Sequence, residues 1–255
     1  MAGHSAWKNI KRRKEAVDKK RGKVWTKIAK AIIVAARNGG PDPASNLTLR
    51  YAIDEARYAN MPRDTIERNV KKGAGEKDGA GYETVRYEGY GPGGVAIIVD
   101  TLTDNRTRTV TFLRETLGKY GGNLGNSGCV AYMFDHRGLI VIKADGLTDD
   151  RVMEVAVEAG ATDVESPDDP GEDGATYTVY TDITSFQAVK EKLEAAGMTM
   201  EEAQLAMVPQ TKTTVRGEVA RDNIDLIEQI EEIDDVQKVY TSLDVPPDEV
   251  KALGR

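Results

Sequence analysis

Gly73-Ala-Gly-Glu-Lys-Asp-Gly-Ala-Gly81 divides two kinds of sequence, and the reading of the fold turns on that division. Glycine repeated with small and charged residues supplies neither an apolar stripe nor a strand alternation, so the segment reads as a linker. Before it, apolar residues recur at helical spacing. Lys23 to Arg37 places Trp25, Ile28, Ile32, Ala35 and Ala36 on one face and is stopped by Gly39, Gly40 and Pro41. A second helix is expected from about Ser45 to Ala59, with Leu49, Ala52, Ile53 and Ala56 as its stripe. Pro62 opens a third, ending at Lys72, with Ile66 and Val70 inward and Gly73 closing it.

After the linker the period changes. Val85 to Tyr90 and Val95 to Leu102 read as strands around a glycine turn, followed by a helix near Asn105 to Tyr120 and a strand near Val130 to Phe134. Leu139 to Ala144, Asp149 to Ala159, Asp163 to Ser166, Thr176 to Thr181 and Ser185 to Ala196 repeat the mixture. Gln204 to Pro209, Val219 to Ile233 and Val236 to Leu243 supply a third pass. The expected class is multi-domain α+β: an amino-terminal three-helix domain, then two small α+β sandwich domains, one inserted in the other. The boundaries drawn are 1–77 for the basic helical domain with its tail, 82–135 plus 204–243 for the second, and 136–203 for an inserted acidic domain.

Charge is segregated along the chain. The net of −7 hides residues 1–77, with 19 Lys and Arg against 8 Asp and Glu, a net of +11. Residues 78–144 balance at 7 against 7, whereas residues 145–255 carry 9 basic and 27 acidic side chains, a net of −18. The densest basic run holds Lys8, Lys11, Arg12, Arg13, Lys14, Lys19, Lys20, Arg21, Lys23, Lys27, Lys30 and Arg37 against Glu15 and Asp18 alone. Such a run suits a polyanion, because each neutralised phosphate releases condensed counterions. Lys23, Lys27, Lys30 and Arg37 fall on one side of their helix, so one face is expected to pack while the other meets phosphate. The acidic remainder would be repelled from the same polymer and left for a protein partner or self-association. An anionic membrane is the weaker partner, because Lys8 to Arg21 offers little apolar surface beyond Ile10, Ala16 and Val17. The longest apolar run, Ala31 to Ala36, is far short of a membrane span.

The one cysteine, Cys129, has no partner for an internal disulfide, which fits a cytoplasmic setting. His4 and His136 form no zinc spacing with it, and no metal, cofactor or catalytic residue is expected. Cys129 is read as a small buried thiol. The helix from Pro62 could act as the reader of a helix-turn-helix, but Asp64 and Glu67 would oppose phosphates, so packing is its expected role. Gly89 to Gly94 reads as a hairpin turn. Gly121 to Gly128 is expected to end a helix, with a backbone anion nest as the lesser alternative.

Several segments together carry a resemblance to a family. Met1-Ala-Gly-His-Ser-Ala-Trp-Lys-Asn-Ile-Lys-Arg-Arg-Lys14, Lys19 to Lys27, Asn60 to Gly73, Tyr87 to Gly94 and Gly121 to Phe134 are similar, in order, to the YebC proteins. Ala6 stands where those proteins usually have lysine, and Cys129 where serine is common. The resemblance implies a helical domain followed by two α+β domains, a cytosolic protein and no catalysis. It also implies a non-enzymatic regulator of gene expression, a transcriptional regulator binding DNA. The alternative it carries is a translation factor on the ribosome or its RNA, as the mitochondrial translational activators among the relatives suggest.

Overall fold

The computed structural model describes residues 17–75, 81–167, 171, 174–246 and 248–249. Three helices come first: α1 (Val17–Gly39), α2 (Leu47–Tyr58) and α3 (Arg63–Gly75). Ile28, Ile32, Ala35 and Ala36 of α1 meet Leu49, Ile53 and Ala56 of α2 and Ile66 of α3 in one small core. Asn46 caps α2, accepting from the Leu49 N–H at 3.1 Å. Its side-chain amide also donates to the Ala35 and Gly40 carbonyls, each at 2.8 Å, which ties the end of α1 to the start of α2. Gly73 lets α3 lie against α1, since a Cβ there would collide with the Ile33 carbonyl oxygen and come 2.9 Å from the Ala36 Cβ.

The remainder builds two four-stranded sheets. In the first, β1 (Glu83–Tyr90) and β2 (Ala96–Thr103) form an antiparallel hairpin around Gly91 to Gly94. β9 (Val236–Thr241) flanks β2, and the short β3 (Asn123–Leu124) flanks β1. Helices α4 (Arg106–Lys119) and α7 (Gly217–Glu231) cover one face, setting Leu113, Leu117, Ile224, Ile227 and Ile230 on Ile97 and Val99. The second sheet runs β5 (Asp163–Glu165), β6 (Thr176–Thr181), β4 (Phe134–Lys143), β7 (Met200–Pro209) in spatial order. Helices α5 (Asp149–Ala159) and α6 (Phe186–Ala195) cover it, with Val152, Phe186, Val189 and Leu193 against Ile140 and Ile142. Short β8 (Thr213–Thr214) and β10 (Leu243–Asp244) pair in parallel.

The uncovered faces of the two sheets share a core. Ala96 and Ile98 of β2 belong to the same buried cluster as Leu139 and Val141 of β4, Tyr180, Ala206, Met207 and Tyr240. Ala96 to Val99 and Leu139 to Ile142 are therefore apolar without alternation, because side chains pointing either way enter a core. Each such Val, Ile or Leu contributes roughly 1.5–3 kcal/mol of burial.

Two expectations change. Ala131–Met133 is a turn of 3-10 helix, and the strand begins at Phe134 and continues through Lys143 as a single element. Gln204 to Pro209, which the sequence reading groups with residues 82–135 and apart from 136–203, lies within β7. There it pairs with β4 from Phe134↔Pro209 to Ile142↔Met200, so these residues complete the second sheet. The pairing of two ten-residue strands outweighs the nearness of Gln204 to α7 in the chain. All four strands of the second sheet fall, in chain order, between β3 and β9 of the first.

Candidate nucleic-acid interface

Of the cations that the sequence assigns to phosphate, Lys8, Lys11, Arg12, Arg13 and Lys14 lie outside the described residues. Lys19, Lys20 and Arg21 fall within α1. The apolar face of α1 packs as its periodicity requires, and Trp25 adds a hydrogen bond from its indole N–H to the Ala59 carbonyl at 2.9 Å. The opposite face meets the chain's own acidic end. Lys23 pairs with Glu232, Lys27 donates to the Glu231 carbonyl at 2.5 Å, and Lys30 lies 3.4 Å from the Asp234 carbonyl and 3.5 Å from the Asp235 carboxylate. Lys30 also sits 5.0 Å from the centre of the Tyr82 ring. Arg37 is half-buried in the last turn.

The acceptors belong to the end of α7 and the turn after it. The last carbonyls of a helix have no partner within the helix and carry the negative end of its dipole, so lysines are favourable there. The bond to Glu232, strengthened by attraction to Glu232 and Asp234, holds the Lys23 ammonium above the ordinary lysine range. Asp235 anchors the turn. Burial alone would raise its carboxyl, yet Arg108 at 2.7 Å and the Thr109 hydroxyl at 2.9 Å donate to it and bring it below the ordinary aspartate range. Between α1 and this turn opens a cleft of about 780 Å³, lined by Lys23, Lys30, Arg108, Tyr82 and Phe112 together with the carboxylates of residues 104, 232, 234 and 235.

The three-helix unit is fixed to the second sheet as well. Lys190 of α6 reaches Asp54 of α2 at 2.7 Å, with both side chains largely out of water. Arg50 meets Glu191 of α6 at 3.1 Å, and Tyr51 packs edge-on against Phe186 with centroids 5.6 Å apart, while Lys238 of β9 in the first sheet meets Glu55 at 2.5 Å. On α3, Arg63 pairs with Glu67 at 2.8 Å, and Arg68 bonds the Thr65 hydroxyl at 3.0 Å and the Asp64 carbonyl at 3.2 Å. Arg63 and Arg68 thus point to partners on their own helix.

The glycine loop after α4 does form a nest of amides, and a carboxylate of this chain fills it. The N–H groups of Gly128, Val130 and Ala131 each donate to Glu88 at 2.8 Å. Burial raises the Glu88 carboxyl, but these three bonds outweigh it and leave the group below the ordinary glutamate range. The only hint in the sequence is a lone acid in an otherwise uncharged stretch of strand, Tyr87 to Tyr90. Cys129 is half-buried, rather than buried, and burial pushes its thiol upward. Among the described residues no group of three or more His, Cys, Asp or Glu could hold a metal ion, and no helix is long and apolar enough to cross a membrane.

A three-helix unit bearing the basic run, docked on two stacked α+β layers, defines a multi-domain protein of mixed class with a strongly polar seam. Residues 5–76 match the TACO1/YebC protein N-terminal domain, and residues 82–243 match the TACO1/YebC second and third domain. The chain belongs to the TACO1/YebC family. A "Probable transcriptional regulatory protein" of Geobacillus thermodenitrificans is 49% identical over 246 residues, covering 96% of this chain and 97% of its own. One of Burkholderia mallei, similarly named, is 52% identical over 242 residues, covering 95% and 98%. The crystal structure of a conserved hypothetical protein of Aquifex aeolicus aligns with a TM-score of 0.81 at 43% identity, over 90% of this chain and 92% of that one.

Proposed function

We propose that this protein is a non-enzymatic regulator of gene expression that binds DNA through its basic amino-terminal unit and acts on transcription in the cytoplasm. The carrying observation is the segregation of charge, a net of +11 over residues 1–77 against −18 over residues 145–255. The names of the Geobacillus and Burkholderia relatives support the same reading. The binding residues are Lys8, Lys11, Arg12, Arg13, Lys14, Lys19, Lys20 and Arg21, continued by Lys23, Lys27, Lys30 and Arg37. Repulsion of the acidic layers would orient the molecule and leave them for a protein partner or self-association.

A second reading has its own support. Arg63 and Arg68 of α3 bond to acceptors on that helix, and Asp64 and Glu67 stand among its cations, so it makes a poor base-reading face; recognition by backbone and shape suits ribosomal RNA as well as DNA. Replacing Lys11, Arg12, Arg13 and Lys14 with glutamine in the full chain tests the site. Affinity for a DNA duplex should fall, and the slope of log affinity against log salt should shrink by roughly 3 to 4. Undiminished binding removes the assigned residues. Sedimentation from gently lysed cells then separates the readings, since salt-sensitive co-migration with ribosomes favours translation and recovery on DNA alone favours transcription.

A further inference from the structure

The lysines of α1 and the end of α7 are joined by a contact that a phosphate chain would contest. Lys23, Lys27 and Lys30 recur at intervals of four and three, so they form one row along the helix. What they meet is a row of oxygens: the Glu232 carboxylate, the carbonyls of Glu231 and Asp234, and the Asp235 carboxylate. Fixed carboxylates, set beside carbonyl oxygens at the negative end of a helix dipole, present to an ammonium group the chemistry that phosphodiester oxygens do.

The row is graded in strength. Lys23 and Glu232 are about half exposed, at 50% and 47%, where water and ions screen the pair. Lys30 and Asp235 are far less exposed, at 18% and 5%, and Asp235 is held by Arg108 and Thr109. The buried Asp54–Lys190 pair keeps α2 on the second sheet independently of this row.

We infer that the carboxyl-terminal end of α7 is an autoinhibitory phosphate mimic: it occupies Lys23 and Lys27, and a nucleic-acid backbone must displace it to engage them. Lys30 is held more tightly on Asp235 and is the last to be released, so release begins in the first half of α1 and the three-helix unit remains docked. The inference rests on the proposed nucleic-acid binding and adds to it a competitor inside the chain.

The test uses the full chain and fluorescence anisotropy with a short labelled DNA duplex and a ribosomal RNA hairpin. Glu232→Gln with Asp234→Asn removes the side-chain charge of the mimic. Affinity should rise about three- to fivefold, the upper end for one exposed ion pair, Lys23–Glu232, with the Asp234 charge beside it, and the gain should shrink as salt rises. A charge-matched control on α5, Asp150→Asn with Glu158→Gln, should stay within about twofold of the parent, because among the described residues neither side chain contacts a lysine of α1 and exposed charges are screened by salt. Lys23→Gln with Lys27→Gln should weaken the parent and abolish the gain in the Glu232→Gln, Asp234→Asn background. A gain no larger than the control's, or one that survives loss of the two lysines, overturns the autoinhibition and leaves the binding function standing. Absence of salt-dependent binding to either probe by the parent chain removes the binding function and the inference with it.

Discussion

Replacing Lys190 with methionine puts the docking of the amino-terminal unit to a sharp test. The side chains of Lys190 and Asp54 are 7% and 10% exposed, and their charged atoms lie 2.7 Å apart. Burial presses the Lys190 ammonium toward neutrality, but the hydrogen bond and attraction to Asp54 outweigh that and raise its pKa, so the ammonium keeps its charge in the folded protein. Methionine fills similar space without charge and strands a buried carboxylate. Stranding one partner of a buried pair costs roughly 3–5 kcal/mol. Arg57, 3.1 Å from the other Asp54 oxygen but with a side chain 69% exposed, softens this toward about 3 kcal/mol. Both tryptophans, Trp7 and Trp25, lie before the linker, so intrinsic fluorescence reports the amino-terminal unit while circular dichroism reports the whole chain. With a urea slope of about 2 kcal/mol/M, the fluorescence midpoint should fall by about 1.5 M. Adding Asp54→Asn to Lys190→Met should recover a large part of that loss, because the stranded charge is gone. A shift under about 0.5 kcal/mol, typical of a surface substitution, or a double variant no better than the single one, would refute the argument.

Two further outcomes follow from the same geometry. Glu88 has a folded pKa below its ordinary value, so its stabilisation is present above the ordinary glutamate range and is lost as pH falls through it; Glu88→Gln should flatten the acid limb of stability between about pH 5 and 3, costing about 1–2 kcal/mol at neutral pH. Hydrogen exchange should locate that cost in residues 125–131, and unchanged protection there would show that the carboxylate does not brace the loop. Gly73→Ala must push α3 off the Ile33 carbonyl of α1, and thermal unfolding should show a loss of about 1–3 kcal/mol; a stabilised variant would mean that the helices part freely.

The three helices, the hairpin at Gly91 to Gly94 and the helices of the two α+β layers were legible because each is written in local periodicity or turn chemistry. Leu49, Ala52, Ile53 and Ala56 can share a core only on a helix, and Asn46 and Pro62 mark their starts by chemistry that acts within a few residues. The basic run and its apolar counterface on α1 were legible for the same reason.

Pairing and docking were not local. Whether Gln204 to Pro209 joins the first sheet or the second depends on which strand lies beside it, and alternation is silent where both faces are buried. Residue composition displayed Lys23, Lys27 and Lys30 as cations facing outward; the tertiary structure placed the end of α7 against them, more than 200 residues along the chain. Glu88, Asp54 and Lys190 read alone as surface charges, and they are buried because each finds its partner only when distant segments meet. Charge and helical period were fixed by the sequence itself, since they need no more than neighbours within a turn or two. The partner of each charge was decided by packing, because an ion pair depends on distance in space and not on separation along the chain.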